Sequence, residues 1–384
     1  MSSGIYLDHH ATTPVDKRVL EKMLPFFTNE FGNPASIDHQ HGAEAKKAVD
    51  QARDDIARLL GCRKDSEIIF TSGATESNNL AIIGASRKYK DKGNHIISTG
   101  IEHPSVLDTL DYLKSEEKAD ITLIPVDKHG MIKLSQLKDS IRDETILISV
   151  MFANNEIGTI QPIKEVGKIA KEKGILFHCD AAQAVGHEHM NVYDLGIDLL
   201  SFSAHKFYGP KGIGGLFIRS FSPMVRLTPI IYGGGHERSF RSGTLNVPGI
   251  IGMAEALKIA EKDMDIERDR LKKLKSHIYQ SLLKEFPGIK LNGHPDNRLS
   301  HNLNITIPGV ESKALILKLK GKLSFSAGSA CSTVKVKPSY VLKAIGLAEE
   351  EIFQTIRIGL GRGTREDNIP DILIQGIKEL ESGS

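Results

Sequence analysis

Cysteine is scarce: the 384 residues hold three, Cys62, Cys179 and Cys331. Three scattered thiols cannot build a disulfide framework, and without a CxxC pair there is no signature of a zinc or thioredoxin-like site. Any cysteine that matters here acts alone. Charge of one sign is also missing, because 50 Lys and Arg against 48 Asp and Glu leave +2. That balance gives no global electrostatic reason to bind nucleic acid. No apolar run approaches the roughly 20 residues that span a bilayer, and the first residues carry neither a basic n-region nor a long apolar h-region. The expectation is a cytoplasmic protein with no membrane partner. Walker A and GxGxxG motifs are absent, so a bound phosphate need not belong to ATP or NAD. Pairs such as His9 and His10, His39 and His41, or His187 and His189 lack an established ligand spacing, and no metal site is expected.

What is present suits a globular enzyme, with 40% hydrophobic and 26% charged residues. The length fits one large fold or two domains at roughly 100–200 residues each. Between about residues 60 and 220, seven short apolar runs alternate with helical patterns: 67–70, 95–98, 121–124, 146–150, 175–178, 198–202 and 215–218. This rhythm predicts a mostly parallel sheet covered by helices, with ligands at the carboxyl ends of its strands. Leu271, Leu274, Ile278 and Leu282 recur at helical spacing and predict a connecting helix over about 254–286. Strand and helix signals beyond it (303–307, 312–320, 339–345) fit a smaller α+β domain.

Three strand ends carry chemistry. Ser201-Phe202-Ser203-Ala204-His205-Lys206 places a lysine among polar groups, where it can form a Schiff base with an aldehyde cofactor. Taken alone, Lys206 reads rather as a surface lysine after a strand. Asp180 ends the run Ile175–Asp180, where a carboxylate can keep a pyridine nitrogen protonated, and Gln183 three residues on could donate to a phenolic oxygen. Asp180 could also be a plain helix cap. Phe70-Thr71-Ser72-Gly73-Ala74-Thr75 joins a strand to a helix start, a natural anion site, with ordinary capping as the alternative.

Together with Leu7–Pro14, Phe31–Ser36, Glu102-His103, Asn154–Gly158, Arg241–Thr244 and Ser326–Ser332, these segments resemble the group I (NifS/IscS-type) cysteine desulfurases. These belong to the class V aminotransferase family of fold type I pyridoxal phosphate enzymes. The resemblance implies an α/β fold with a mostly parallel seven-stranded sheet in a large domain, residues 15–260. Residues 1–14 and 261–384 would form a smaller α+β domain with a mobile loop at about 324–336. It implies that Lys206 carries pyridoxal 5'-phosphate, that His103 stacks on its ring and helps move protons, and that Ala74, Thr75, Ser203 and His205 hold its phosphate. Thr244 would reach the phosphate of a second subunit, making an obligate homodimer. Asn155 and Arg357 would hold the carboxylate of L-cysteine, and Cys331 would accept its sulfur as a persulfide while alanine leaves. A sulfur-acceptor protein, such as an iron-sulfur scaffold or a tRNA-thiolation protein, would then take the sulfur. Seven lysines and no acidic residue between Lys313 and Lys343 could attract an acidic acceptor. Gly359 stands where the family usually has serine, and His236 where it has glutamine. A selenocysteine lyase, another class V aminotransferase-type enzyme, and a cofactor-free sulfur-protein scaffold stay open as alternatives.

Overall fold

In the computed structural model, residues 4–331, 336–365 and 368–382 are described. All seven apolar runs are strands of one sheet: β1 (Ile68–Thr71), β2 (His95–Thr99), β3 (Asp120–Ile124), β4 (Thr145–Ser149), β5 (Leu176–Asp180), β6 (Leu199–Ser203) and β7 (Gly214–Ile218). Their order is β1-β7-β6-β5-β4-β2-β3. Every ladder from β6 to β3 is parallel, whereas β7 runs antiparallel to both β1 and β6. The reversal follows from chain length. Only residues 204–213 join β6 to β7, enough for a turn but too few for a helical crossover.

Helices Ala74–Tyr89, Pro104–Glu116 and Ile163–Lys173 follow β1, β2 and β4 and help cover the sheet, so strands such as Ile68-Ile69-Phe70 are buried on both faces. Burying one such side chain contributes about 1.5–3 kcal/mol. Helix Ile163–Lys173 stops at Gly174, whose φ of 66° makes the left-handed cap that suits glycine.

The connecting helix spans Val247–Glu285, beginning earlier than its apolar spacing suggested because Asn246 caps it and Pro248 opens its first turn. Its first half (Val247, Ile250, Met253, Leu257) packs into the core under the sheet. Its second half (Leu271, Leu274, Ile278, Leu282) packs with Leu7, Ile305, Ile356 and Leu373 in a separate core. A second sheet of four short strands is ordered Ser326–Ala327, Thr355–Gly359, Asn302–Thr306, Lys290–Leu291 and is antiparallel throughout. The N-terminal strand Ile5–Tyr6 pairs in parallel with Leu323–Ser324. Residues 8–13 then run to the end of the large sheet, where Thr13 N donates to the His205 carbonyl. No helix among the described residues is long and apolar enough to cross a membrane.

Candidate active site

A cavity of about 600 Å³ opens at the carboxyl ends of β1, β2, β4, β5 and β6. Parallel sheets place ligands there. Ala74 and Thr75, which begin the helix after β1, His103 after β2 and Asn155 after β4 line it. So do Asp180 and Gln183 at the end of β5, Ser203, His205 and Lys206 at the end of β6, and Arg357 from the second sheet. Thr244 is exposed and is not among the residues that line the cavity. Cys331 ends the strand Ser329–Cys331, which pairs with Val336–Pro338. Its side chain, and residues 332–335 of the expected loop, lie outside the described residues.

Lys206 sits in a one-turn 3-10 helix, and its Nζ donates to the carbonyls of His10 (2.5 Å) and Ala11 (3.0 Å). Burial, reinforced by the nearby Arg357 charge, lowers its pKa to about 8, against the opposing pull of Asp180 and Asp8. About a tenth of this amine is therefore unprotonated and nucleophilic at pH 7, far more than for an ordinary lysine.

Asp180 is held from two sides. Asn78 Nδ2 donates to Oδ2 at 2.8 Å and Ala182 N donates to Oδ1 at 2.9 Å. The chain after Asp180 is a run of turns, opened by the bond from Ala182 N to the Asp180 carboxylate. Gln183 still reaches the cavity, bonded through both amide atoms to His10.

His103 caps helix Pro104–Glu116, its Nδ1 accepting from Ser105 N at 3.1 Å. The proton of the neutral ring is therefore on Nε2. Burial moves its pKa down, partly countered by Asp180. The preceding residue, Glu102, accepts from Thr99 Oγ1 and Met151 N on one oxygen, while Oε2 is buried without a partner. Burial lifts its pKa to about 8.

Beside β1, Gly73 caps helix Ala74–Tyr89, whose first N–H groups lack carbonyl partners within the helix. The β7 backbone approaches so closely that a Cβ on Gly214 would lie 2.6 Å from Gly73 Cα. The result is a cradle for an anion, with Ser203 and His205 among its neighbours. His205 bonds Thr12 Oγ1 at 3.1 Å, and burial with the Lys206 and Lys211 charges lowers its pKa to about 4. Glu76 in the same helix turn pairs with Arg241 Nε at 2.8 Å, tying the cradle to the Arg241–Thr244 segment.

On the opposite wall, Arg357 Nη2 donates to Asp8 Oδ1 (2.8 Å) and Nη1 to the Asn155 carbonyl (3.1 Å). Arg357 Nε and Asn155 Oδ1 are buried with no partner. One donor and one acceptor are thus left over beside the cavity. Asn78, Ser105, Asp8, His10 and the Ala11 carbonyl belong to this site but had been given no role from sequence. Asp8, His10 and Ala11 lie in the Leu7–Pro14 segment, which was a signal of importance without a signal of task.

The donor set fits pyridoxal 5'-phosphate. It combines a depressed lysine amine, an anchored carboxylate opposite, an amide beside them and an anion cradle at one end, in a volume suited to a cofactor with a small substrate. Comparison with known proteins agrees. The aminotransferase class-V family matches residues 5–372. Cysteine desulfurase IscS of Rickettsia bellii (strain OSU 85-389) is 48% identical over 365 residues, covering 95% of this chain and 88% of the relative. Cysteine desulfurase IscS of Anaeromyxobacter sp. (strain K) is 46% identical over 369 residues, covering 96% and 90%. Among solved structures, a NifS-like protein superposes with a TM-score of 0.91 at 37% identity, covering 99% of this chain and 100% of that one. The structure described as SspA in complex with cysteine gives a TM-score of 0.81 at 38% identity, covering 93% and 98%. With a family match over nearly its whole length and relatives of this identity, the chain belongs to the aminotransferase class-V family, among its cysteine desulfurases.

Proposed function

We propose that this chain converts L-cysteine to L-alanine, with pyridoxal 5'-phosphate as cofactor and Cys331 as the sulfur acceptor. The observation that carries the reading is Lys206, a buried amine with its pKa lowered to about 8, facing an anchored Asp180 across one cavity. When bound, the cofactor supplies an electron sink for the charge left at the substrate's Cα.

The chain's own residues do the rest. Ala74, Thr75, Ser203 and His205 hold the phosphate, and Asp180, fixed by Asn78 and Ala182, keeps a proton on the ring nitrogen. His103, which lines the cavity, would lie against the ring, with its Nε2–H available for proton transfer. Arg357, whose Nε is a buried donor without a partner, takes the substrate carboxylate, and the amide NH2 of Asn155 beside it is the second donor. Lys206 would hold the cofactor's aldehyde carbon, and its amine would be the base for the Cα proton. The Cys331 thiolate attacks the substrate sulfur; an S–S bond forms, the substrate's C–S bond breaks, and the three-carbon remainder takes up protons and leaves as alanine. The persulfide then passes to an acceptor protein.

We read residues 15–260 as the cofactor domain and residues 1–14 with 261–384 as the domain that carries Cys331, in keeping with the change of core along helix Val247–Glu285. The working unit is a cytoplasmic homodimer in which Thr244, exposed in the single chain, reaches the phosphate of the second copy. Release of sulfide and alanine from L-cysteine, assayed with and without a thiol reductant, tests the reading. Sulfide without any dependence on the reductant would speak against a persulfide.

A further inference from the structure

We infer that Arg298, Asn302 and His10 form a positioning chain that fixes which end of the Gln183 amide faces the active-site cavity. None of the three has a role in the reading above. The chain starts at Arg298, buried and without a carboxylate partner; its Nη1 donates to the Asn292 carbonyl (3.1 Å), and its Nη2 to the Ile157 carbonyl (3.0 Å) and to Asn302 Oδ1 (2.7 Å). A guanidinium can only donate, so the oxygen of Asn302 must face it. The Asn302 NH2 group therefore points the other way, where Nδ2 lies 3.0 Å from the Glu156 carbonyl and 3.1 Å from His10 Nε2.

Both Asn302 hydrogens are then committed, and His10 Nε2 must accept. The neutral imidazole carries its proton on Nδ1, 3.1 Å from Gln183 Oε1. Neutrality is enforced by the surroundings. Burial holds the His10 pKa well below its ordinary value, and Arg357, Lys206 and His187 act in the same direction against the single favourable bond to Gln183. The remaining titratable neighbour, His301, stacks on the ring at 4.6 Å, and burial lowers its pKa too.

With Oε1 engaged by His10 Nδ1–H, Gln183 Nε2 gives one hydrogen to the His10 carbonyl at 3.0 Å. Its second hydrogen is left for the cavity that Gln183 lines. A turned amide would set its NH2 against the His10 Nδ1–H. It would also set its oxygen against the His10 carbonyl, which already takes Lys206 Nζ. The buried network thus presents a donor, never an acceptor, to an anionic oxygen on the bound ring.

This inference rests on the pyridoxal phosphate reading, and the test separates the two. It is a pH titration of the visible absorption band of the holoenzyme. A donor to the ring's anionic oxygen lowers the pH at which the lysine-linked chromophore releases its proton, so losing the donor raises the midpoint. His10→Leu should raise it by about one pH unit, the size of one charge-assisted hydrogen bond. His10→Asn, whose amide can donate near the position of Nδ1, should return it toward wild type. Asn302→Leu, which frees the His10 tautomer without touching the cavity, should shift it in the same direction by less, and it carries the test if His10→Leu does not fold. In a Gln183→Ala background His10→Leu should add nothing, because His10 acts only through Gln183. An unmoved midpoint in both single variants with cofactor bound, or a shift that persists in Gln183→Ala, overturns the inference. A wild-type holoenzyme with no titrating visible band would instead contradict the cofactor reading itself.

Discussion

Lys206 shows how placement changes a common residue. Its amine is buried and beside Arg357, which shifts the pKa down to about 8. The free-base form reacts with an aldehyde, so capture of pyridoxal phosphate by the apoprotein should accelerate with pH and level off just above 8. A rate still climbing at pH 10 would mean an ordinary exposed lysine. Lys206→Ala should abolish covalent attachment. Borohydride reduction and peptide mapping should place the label on Lys206 in wild type, and a label on another lysine would contradict the assignment. At this scale the sequence was legible where a residue's placement depends on its own strand end: Ser203 and Asp180 end β6 and β5, and His205 and Lys206 follow β6. It was silent where the task depends on contacts across the fold. Asn78 steadies Asp180 from 102 positions away, and His10 bonds Gln183 from 173. No local pattern carries such pairings.

Between elements, the least conspicuous tie is Glu237. Its carboxylate takes two hydrogen bonds from Arg53 (2.8 and 2.6 Å) and one from Phe70 N in β1 (2.7 Å). Glu237, Arg238 and Ser239 all have positive φ, an unfavourable run for residues with a Cβ. The buried pair offsets that strain and seats the segment leading to Arg241 and its partner Glu76. Glu237→Ala leaves the Arg53 guanidinium, 13% exposed, without its partner and should cost about 3 kcal/mol in a denaturant titration. A change below about 1 kcal/mol would show that the segment is held by something else. Elements themselves were read well where an apolar run was bounded by polar residues, as in all seven strands of the large sheet. The reversed direction of β7 was not readable from its own residues, since it follows from the short link after β6. Ile5–Tyr6 pairs with Leu323–Ser324 across more than 300 positions, next to Leu7 in the second core, and no local pattern announces that pairing.

As a whole molecule, the proposed enzyme needs two copies and two separable chemistries. Thr244 is exposed and does not line its own cavity. Thr244→Ala should weaken cofactor retention without unfolding the chain, and light scattering of the wild type should give a dimer. A stable, fully active monomer would contradict the shared site. The second division lies between cofactor chemistry, which rests on Lys206, Asp180 and Gln183, and sulfur acceptance, which rests on Cys331. A serine hydroxyl is a far poorer nucleophile than a thiolate. The most direct measurement is therefore turnover of L-cysteine by Cys331→Ser, following alanine and sulfide beside the absorption spectrum. The variant should bind pyridoxal phosphate and respond spectrally to L-cysteine, yet form almost no alanine; turnover at the wild-type rate would contradict the persulfide account.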